Sequence, residues 1–364
     1  LGVLAAEEAI RRSGVNKEEI DHVVFGNVVQ AGADAPYLAR HIGIRSGIPI
    51  ATPALTVNRL CGSGLQAVVN AAQQILLGES RLVLAGGSEN MSQIPYVLPN
   101  ARWGYRMGDH KAVDMMTAAL VDSCAQVAMS DTAENLAEEY GISREAQDEY
   151  AFRSQQAAAK AIASGRMAKE IVSVELNDKR QTVISQDEHP RETTLEKLSS
   201  LKASFRKNGT VTAGNASGIN DGAAALMVTT AQAAKEMGVD PIARIKSWAS
   251  VGVPPEKMGI GPAPAIEKAL QRANLKLSDL DIIEVNEAFA AQYLAVEKAL
   301  GLDRDKVNVN GGAIALGHPL GASGARVLLT AMYEMLEQQK RYGVASLCIG
   351  GGQGIAMIVE NARL

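Results

Sequence analysis

The sequence predicts an α/β fold built from two similar halves, and three observations lead to this prediction. Segments near the two ends of the 364-residue chain match at a constant offset of 260 residues. In each half, short apolar runs alternate with amphipathic stretches of helical period, which is the pattern of α/β domains. A more polar stretch, roughly 91–219, interrupts the first half. A chain of this length also exceeds one ordinary hydrophobic core.

Composition limits the class of protein. With 47% apolar and 21% charged residues, the chain is predicted to be globular rather than disordered. A net charge of −4 gives no support for a nucleic-acid partner. The three cysteines show no metal-site spacing, and their odd number argues against a disulfide framework. We therefore expect no metal site and a reducing compartment.

The same features give an expected location. No apolar run approaches the ~18 residues of a membrane span, and no signal peptide is visible. We expect a cytoplasmic protein, or one of the mitochondrial matrix if the source is eukaryotic. Leu1 lies inside what looks like a helix, so we expect the native N-terminus, including any targeting segment, to be missing.

The duplication is clearest in the first helix and strand of each half. Residues 5–27 read AAEEAIRRSGVNKEEIDHVVFGN, and residues 264–287 read PAIEKALQRANLKLSDLDIIEVNE. Both predict an amphipathic helix, a polar turn and an apolar strand. The same offset places Ser63 and Gly64 on Ser323 and Gly324.

The halves continue alike after these glycines. A long apolar helix is followed by a strand that ends at glycines, at 81–85 and at 344–347, and residues 221–228 resemble 353–359. We predict two mostly parallel or mixed sheets with flanking helices. The predicted N-terminal half comprises residues 1–90 plus 220–241, with its first strand apparently missing, and the C-terminal half comprises residues 242–364.

Residues 91–219 form a predicted insertion. It contains expected helices at 133–140 and 143–164, followed by a loop-like segment through 187–191. A domain-sized insertion over the open end of a sheet commonly covers a binding site. A plain structural excursion is the alternative.

Cys61 is the first candidate for chemistry. It lies between an apolar strand and a long apolar helix, in the glycine-rich run NRLCGSG. A helix N-terminus offers free N–H groups and partial positive charge, which favour a thiolate. The alternative is a buried structural cysteine.

Three further residues could complete a site. His318 lies between glycines, which cannot form an apolar packing face, and it could take a proton from a thiol. Cys348 precedes three glycines, whose N–H groups could hold an anion, although a core cysteine fits as well. Asn286 follows a strand and could orient a water, donate to an oxyanion or cap a helix. Two cysteines and a histidine at glycine-rich sheet ends suit acyl transfer through a thioester.

Six motifs together resemble the thiolase family over essentially the whole chain. They occur in the expected order as NRLCGSG (58–64), GGSENMS (86–92), NASGINDGAA (215–224), VNEAFA (285–290), NGGAIALGHPLGASG (310–324) and CIGGGQG (348–354). The resemblance implies duplicated βαβαβαββ halves that form a layered αβαβα core with an inserted loop domain. YLARHIGIRSGIP (37–49) and MGIGPAPAI (258–266) look especially similar to mitochondrial 3-ketoacyl-CoA thiolases.

The resemblance also implies the roles of residues. Cys61 is expected to be acylated, His318 to activate it, and Cys348 to move the α-proton of the acetyl group. Asn286 is expected to hold a water in an oxyanion hole shared with His318, while the N–H groups of Cys61 and Gly350 form a second hole.

Coenzyme A and its thioesters are the expected substrates, with no permanently bound cofactor. The expected contacts are Met129, Leu201, Phe205, Ala213, Ser217 and Met258 along the insertion, Ala288 and Phe289 in the pantetheine channel, and Lys202 and Arg191 either as phosphate contacts or as ordinary solvated charges. The resemblance also implies a homodimer or a homotetramer.

The expected activity exchanges 3-ketoacyl-CoA plus CoA with acyl-CoA plus acetyl-CoA. Ala128 precedes Met129, where biosynthetic acetoacetyl-CoA thiolases typically carry histidine, which disfavours a strict acetoacetyl-CoA specialist. A carrier-protein ketosynthase is an alternative, but such enzymes pair cysteine with two histidines or with histidine and asparagine. The other alternative is a non-catalytic acyl-CoA-binding protein on the same fold.

Overall fold

The first half alternates helices and strands in the predicted order. The structure is a computed structural model that describes residues 1–176 and 178–364. The elements of this part are α1 (Gly2–Ser13), β1 (His22–Gly26), α2 (Leu38–Arg45), β2 (Ala54–Val57), α3 (Ser63–Leu76) and β3 (Leu82–Glu89). β3 is buried on both faces, which explains why apolar residues and glycines fill it from Leu82 to Gly87 before it ends at Ser88 and Glu89.

The insertion is mainly helical with short two-residue strands. Its elements are β4 (Tyr96–Val97), β5 (Val113–Asp114), α4 (Met115–Ala119), β6 (Val121–Asp122), β7 (Val127–Ala128), α5 (Met129–Glu139), α6 (Arg144–Ala163), β8 (Val174–Glu175), β9 (Val183–Ile184) and α7 (Leu195–Ser199). Both expected helices are confirmed, although α5 begins four residues earlier than expected. Ser143 caps α6, because its side chain accepts a hydrogen bond from the Ala146 N–H.

The remainder of the chain completes the first sheet and forms the second half. Its elements are β10 (Gly222–Thr229), α8 (Ala231–Met237), β11 (Ala243–Gly252), α9 (Pro262–Ala273), β12 (Ile282–Val285), α10 (Ala290–Leu300), α11 (Ala313–Leu316), α12 (Leu320–Glu337), β13 (Tyr342–Ile349) and β14 (Gln353–Asn361). No helix in the described ranges is both long and apolar enough to cross a membrane.

Two mixed four-stranded sheets result. The first has the order β10-β3-β1-β2, in which β10 is antiparallel to its neighbour, and the second has the order β11-β14-β13-β12. Strands β1 and β3 correspond to β12 and β13 at the predicted offset of 260 residues. In the second half, the counterpart of β2 is reduced to a single parallel bridge between Ile283 and Val307.

The sheets are stacked with helices between and outside them. Helices α3 and α12 lie between the two sheets, where Leu65, Val68 and Leu328 share one core with residues of both sheets. Helices α1 and α2 cover the outer face of the first sheet. Helices α9 and α10 cover the outer face of the second, together with α5 and α6 of the insertion. The predicted layered αβαβα core is confirmed.

The two central helices approach each other closely near their N-termini. A Cβ atom on Gly324 would lie 2.3 Å from the backbone nitrogen of Leu65, and one on Gly64 would lie 2.7 Å from that of Ala325. Neither position can accept a side chain without moving backbone. The crossing places the Cys61 turn and the His318 segment at the same end of the central layer.

Candidate active site

Cys61 lies in a tight turn that leads into α3. Leu60 adopts the left-handed conformation with φ of 46°, which few non-glycine residues adopt. Ser63 holds this turn, because its hydroxyl donates to the Leu60 carbonyl at 2.6 Å and accepts from the Arg59 N–H at 2.8 Å. The Cys61 side chain is half-buried. The turn therefore presents the sulfur at the start of the helix in a fixed position.

The resting sulfur is a thiol. Burial raises the pKa of Cys61 to about 11, although the backbone N–H groups of Gly350 and of Cys61 itself act in the opposite direction. The sequence suggested that the helix N-terminus would favour a thiolate, and this expectation is wrong for the resting protein because desolvation is the larger effect. The same two N–H groups converge on the sulfur, as expected for a hole that binds an oxyanion.

Cys348 lies beside Cys61 near the end of β13. It is fully buried, and burial followed by the nearby Cys61 raises the pKa of its thiol. Gly350 follows it, and a Cβ there would lie 3.3 Å from Leu60 Cδ1 and from Met129 Sδ. The structure therefore brings Cys61, Cys348 and Gly350 together.

His318 is buried and held in one tautomer. The Ser323 hydroxyl donates to the Pro319 carbonyl at 2.8 Å, so it can only accept from His318 Nδ1, which lies 2.6 Å away. The proton is thus assigned to Nδ1, and Nε2 is the unprotonated nitrogen, which faces Asn286 Nδ2 at 3.3 Å. Burial, reinforced by the positive charge of Arg326, lowers the pKa of His318 to about 4. A neutral imidazole with an unprotonated Nε2 is suited to accept a proton.

Asn286 completes this part of the site. It is 1% exposed and follows β12, and its Nδ2 donates to His318 Nε2 at 3.3 Å. Its Oδ1 has no hydrogen-bond partner among the residues that the structure describes. Asn286 does not cap α10, because Phe289 occupies the cap position. An unpartnered buried carbonyl beside a histidine is a suitable place for an ordered water.

The expected coenzyme contacts form two groups. The inner group packs around Cys348 and consists of Met129, Met258, Ala288 and Phe289. Ser217 adjoins this group, because its N–H donates to the Ala288 carbonyl at 3.0 Å. These apolar side chains surround the second cysteine, as the walls of a channel would.

The outer group lies on the exposed surface of the insertion. Arg191 reaches the Ala213 carbonyl at 3.4 Å, and Leu201 would contact a Cβ on neighbouring Gly214 at 2.6 Å. Lys202 and Phe205 are exposed in the segment after α7. The structure does not bring this group into contact with Cys348.

Sequence reasoning missed three residues that shape the site. Ser323 fixes the His318 tautomer, and its match to Ser63 in the repeat was a usable signal. Glu287 and Glu89 are buried carboxylates beside the segment that carries His318, exposed by 0% and 1%. Their signal was an acidic residue within an otherwise apolar or glycine-rich motif.

Comparison with known proteins places this site in a family. Residues 1–232 match the thiolase N-terminal domain, and residues 239–361 match the thiolase C-terminal domain. The chain belongs to the thiolase family. It is 53% identical to the acetyl-CoA acetyltransferase of Escherichia coli (strain K12) over 99% of this chain and 92% of that protein. It is 50% identical to the mitochondrial 3-ketoacyl-CoA thiolase of Homo sapiens, with the same coverage.

Solved thiolase structures agree with the fold. The crystal structure of human mitochondrial 3-ketoacyl-CoA thiolase in complex with CoA matches with a TM-score of 0.97 and 50% identity, over 99% of this chain and 91% of that one. The expected family, fold and thiolase-type acyltransferase activity are confirmed, and neither a ketosynthase nor a non-catalytic protein is favoured. The near-equal identities do not single out the mitochondrial enzymes.

Proposed function

We propose that this thiolase exchanges 3-ketoacyl-CoA plus CoA with acyl-CoA plus acetyl-CoA through an acyl group carried by Cys61. The convergence of the Gly350 and Cys61 N–H groups on the Cys61 sulfur, with Cys348 alongside, is the observation that supports this most strongly. Both directions use the same groups, so thiolysis and condensation are alternative uses of one site.

Thiolysis begins when His318 Nε2 takes the proton of the Cys61 thiol. The sulfur attacks the 3-keto carbon, and the bond between C2 and C3 breaks, leaving an acyl-Cys61 thioester and the enolate of acetyl-CoA. The Cys348 thiol donates its proton to that enolate, which releases acetyl-CoA. The thiol of a second CoA then returns a proton to Cys348 and attacks the thioester. Cys61 recovers its proton from His318, so the cycle closes.

Two groups of donors stabilise the negative charge that develops in these steps. The N–H groups of Cys61 and Gly350 are positioned for the oxyanion at the acylated carbonyl. His318, once protonated, and a water on Asn286 Oδ1 are assigned to the enolate oxygen. Donors of this kind act strongly because a buried site needs little reorganisation during the reaction.

The coenzyme is proposed to lie across both contact groups. Met129, Met258, Ala288 and Phe289 suit the pantetheine arm, because they line the approach to Cys348. The exposed group around Arg191 and Lys202 suits the polar end of CoA, with the two cations as phosphate contacts. In this arrangement residues 91–219 cover the site. The N-terminal half then comprises residues 1–90 and 220–241, and the C-terminal half comprises residues 242–364.

The assembly and location are further proposals. A homodimer or homotetramer is proposed from the family resemblance, and a cytoplasmic or mitochondrial-matrix location is proposed from the cysteine content. The curated relatives include bacterial proteins and a mitochondrial one.

Two variants test the assigned roles. Cys61→Ser should form no acyl-enzyme with acetyl-CoA, whereas Cys348→Ser should be acylated at Cys61 but lose thiolysis and condensation by about 10³-fold or more. Intact-protein mass spectrometry detects the acyl group, and thiolysis of C4 to C16 3-ketoacyl-CoAs gives the chain-length preference. Equal failure of both variants to acylate would refute the role given to Cys348.

A further inference from the structure

The segment that carries His318 is attached to the rest of the molecule by two buried carboxylates. This segment comprises residues 308–321 and consists largely of glycine and small apolar residues. Such residues have few side-chain contacts of their own with which to fix a loop. Glu287 holds its first part and Glu89 holds its last residue.

Glu287 is saturated with hydrogen bonds. Its Oε1 accepts from the Tyr150 hydroxyl at 2.7 Å and from Asn308 Nδ2 at 3.1 Å. Its Oε2 accepts from the Ser154 hydroxyl at 2.7 Å and from the Ile314 N–H at 3.1 Å. No cation lies within salt-bridge distance of it among the described residues. Four donors fill the acceptor sites of a carboxylate, which is how a buried anion is tolerated without a cation.

The carboxylate occupies space that a side chain would otherwise need. A Cβ on Gly312 would lie 2.3 Å from the carboxyl carbon of Glu287. Residue 312 must therefore be glycine if the Glu287 carboxylate is to keep this position. Because Asn286 directly precedes Glu287, the same group fixes both partners of the hydrogen bond between Asn286 and His318.

Glu89 binds the other end of the segment, at Gly321. Its Oε2 accepts from the Gly321 N–H at 2.7 Å and from the Val28 N–H at 3.0 Å, and its Oε1 accepts from Asn27 Nδ2 at 3.0 Å. A Cβ on Gly321 would lie 2.8 Å from Glu89 Oε2. Glu89 thus connects the start of α12 to the loop that follows β1.

We propose that Glu287 and Glu89 are positioning residues for His318, which they hold in place by binding the two ends of its segment. Glu287 connects the segment to the insertion through Tyr150 and Ser154, and Glu89 connects it to the N-terminal half. Neither carboxylate takes part in a chemical step. The inference rests on the proposed role of His318 as the base.

The test uses Glu287→Gln and Glu89→Gln in the full chain. A carboxamide has only one oxygen that can accept hydrogen bonds. Its NH₂ group would face N–H and O–H donors that now bind the second carboxylate oxygen, so residues 308–321 should shift. We expect thiolysis kcat per acylatable Cys61 to fall by about tenfold or more, with KM changed less than about threefold, because misplacement of a catalytic group affects the transition state. Acetylation by acetyl-CoA, counted by mass spectrometry, gives the number of sites.

Two other variants make the result decisive. Tyr150→Phe removes one donor and should lower kcat per site by about threefold in the same direction, and it decides the question if Glu287→Gln does not fold. Glu284→Gln is the matched control, a buried carboxyl on β12 without a hydrogen bond to residues 308–321, and it should stay within about twofold of the wild type.

A merely structural role gives a different result. The number of acylatable sites and the melting temperature would then fall while kcat per site stayed at the wild-type value, and this would overturn the proposal. A wild-type protein that forms no acyl-Cys61 would instead refute the proposed function, so the two failures are distinguishable.

Discussion

Burial shifts the pKa values of Cys61 and His318 in opposite directions, and each shift favours the neutral form. The surrounding protein opposes charge on both side chains, raising the pKa of the thiol to about 11 and lowering that of the imidazole to about 4. Both side chains are therefore neutral at rest, and under the proposed mechanism they become charged only when a substrate is bound. This protects the nucleophile from random electrophiles, because a thiol reacts far more slowly than a thiolate.

Burial of a neutral His318 makes stability depend on pH. The folded-state pKa of about 4 lies below the ordinary value of 6.5, so the unfolded chain binds this proton first as the pH falls. Stabilisation from this group is complete above about pH 6.5 and is lost between pH 6.5 and 4. On acidification from pH 7.5 to 4.5, wild type should lose about 2 to 3 kcal/mol more free energy of unfolding than His318→Gln.

Denaturant unfolding of both proteins at several pH values measures this difference. Parallel losses in wild type and variant would show that the pKa of His318 is not lowered in the folded protein.

Residue roles could be proposed from sequence only where the residue type itself is reactive, as cysteine and histidine are. His318 could be proposed because it lies between glycines, which cannot form an apolar packing face, whereas Cys61 and Cys348 each kept a structural alternative until the repeat and the family motifs were considered. Glu287 and Glu89 were missed because a sequence shows an acidic residue but does not show that it is buried. Its donors come from residues as distant as Tyr150 and Gly321.

At the scale of elements, the contact between α3 and α12 depends on glycine. Gly324→Ala should destabilise the protein by about 2 to 3 kcal/mol, because its Cβ would meet the Leu65 nitrogen and backbone cannot yield as a side chain can. Gly32→Ala is the control, since a Cβ there meets nothing within 4 Å, and it should change stability by less than about 0.5 kcal/mol.

Thermal unfolding of the two variants provides the comparison. Equal stabilities would mean that the helices can separate without cost and that the glycines are dispensable.

The strands and long helices were predicted well because periodicity and the repeat supported the same assignment. The strand predicted at 344–347 lies within β13, and α6 differs from the predicted 143–164 by one residue at each end. The correspondence between the halves breaks down at β2, because its counterpart in the second half is only the single bridge at Val307. At the offset of 260 residues, β2 corresponds to residues 314–317, which belong to α11 and to the segment that carries His318.

At the scale of the whole molecule, the insertion is joined to the central layer by a buried ion cluster. Arg166 donates to Glu334 of α12 at 2.8 Å and to the Thr330 carbonyl at 3.2 Å, and it also pairs with Glu170. Arg166→Met would leave two buried carboxylates without their cation, so we expect a loss of about 3 to 5 kcal/mol. Lys169→Met is the control, because its pair with Glu337 is half exposed and contributes at most about 1 kcal/mol.

Urea denaturation at pH 7 measures both variants. Similar small losses would show that the insertion is held by its apolar contacts alone. The sequence could not predict this cluster, because Arg166 lies more than 150 residues from its partners Thr330 and Glu334 along the chain.

The internal repeat also bears on the number of acyl groups that each polypeptide can carry. At the offset of 260 residues, Cys61 corresponds to Gly321 and His318 corresponds to Asn58, so neither half contains both the nucleophile and the base. Under the proposed mechanism, the two similar halves therefore contribute different groups to a single reaction centre. Each polypeptide should therefore carry one acyl group at saturation, and neither half should be acylated by the proposed base-assisted route when separated from the other.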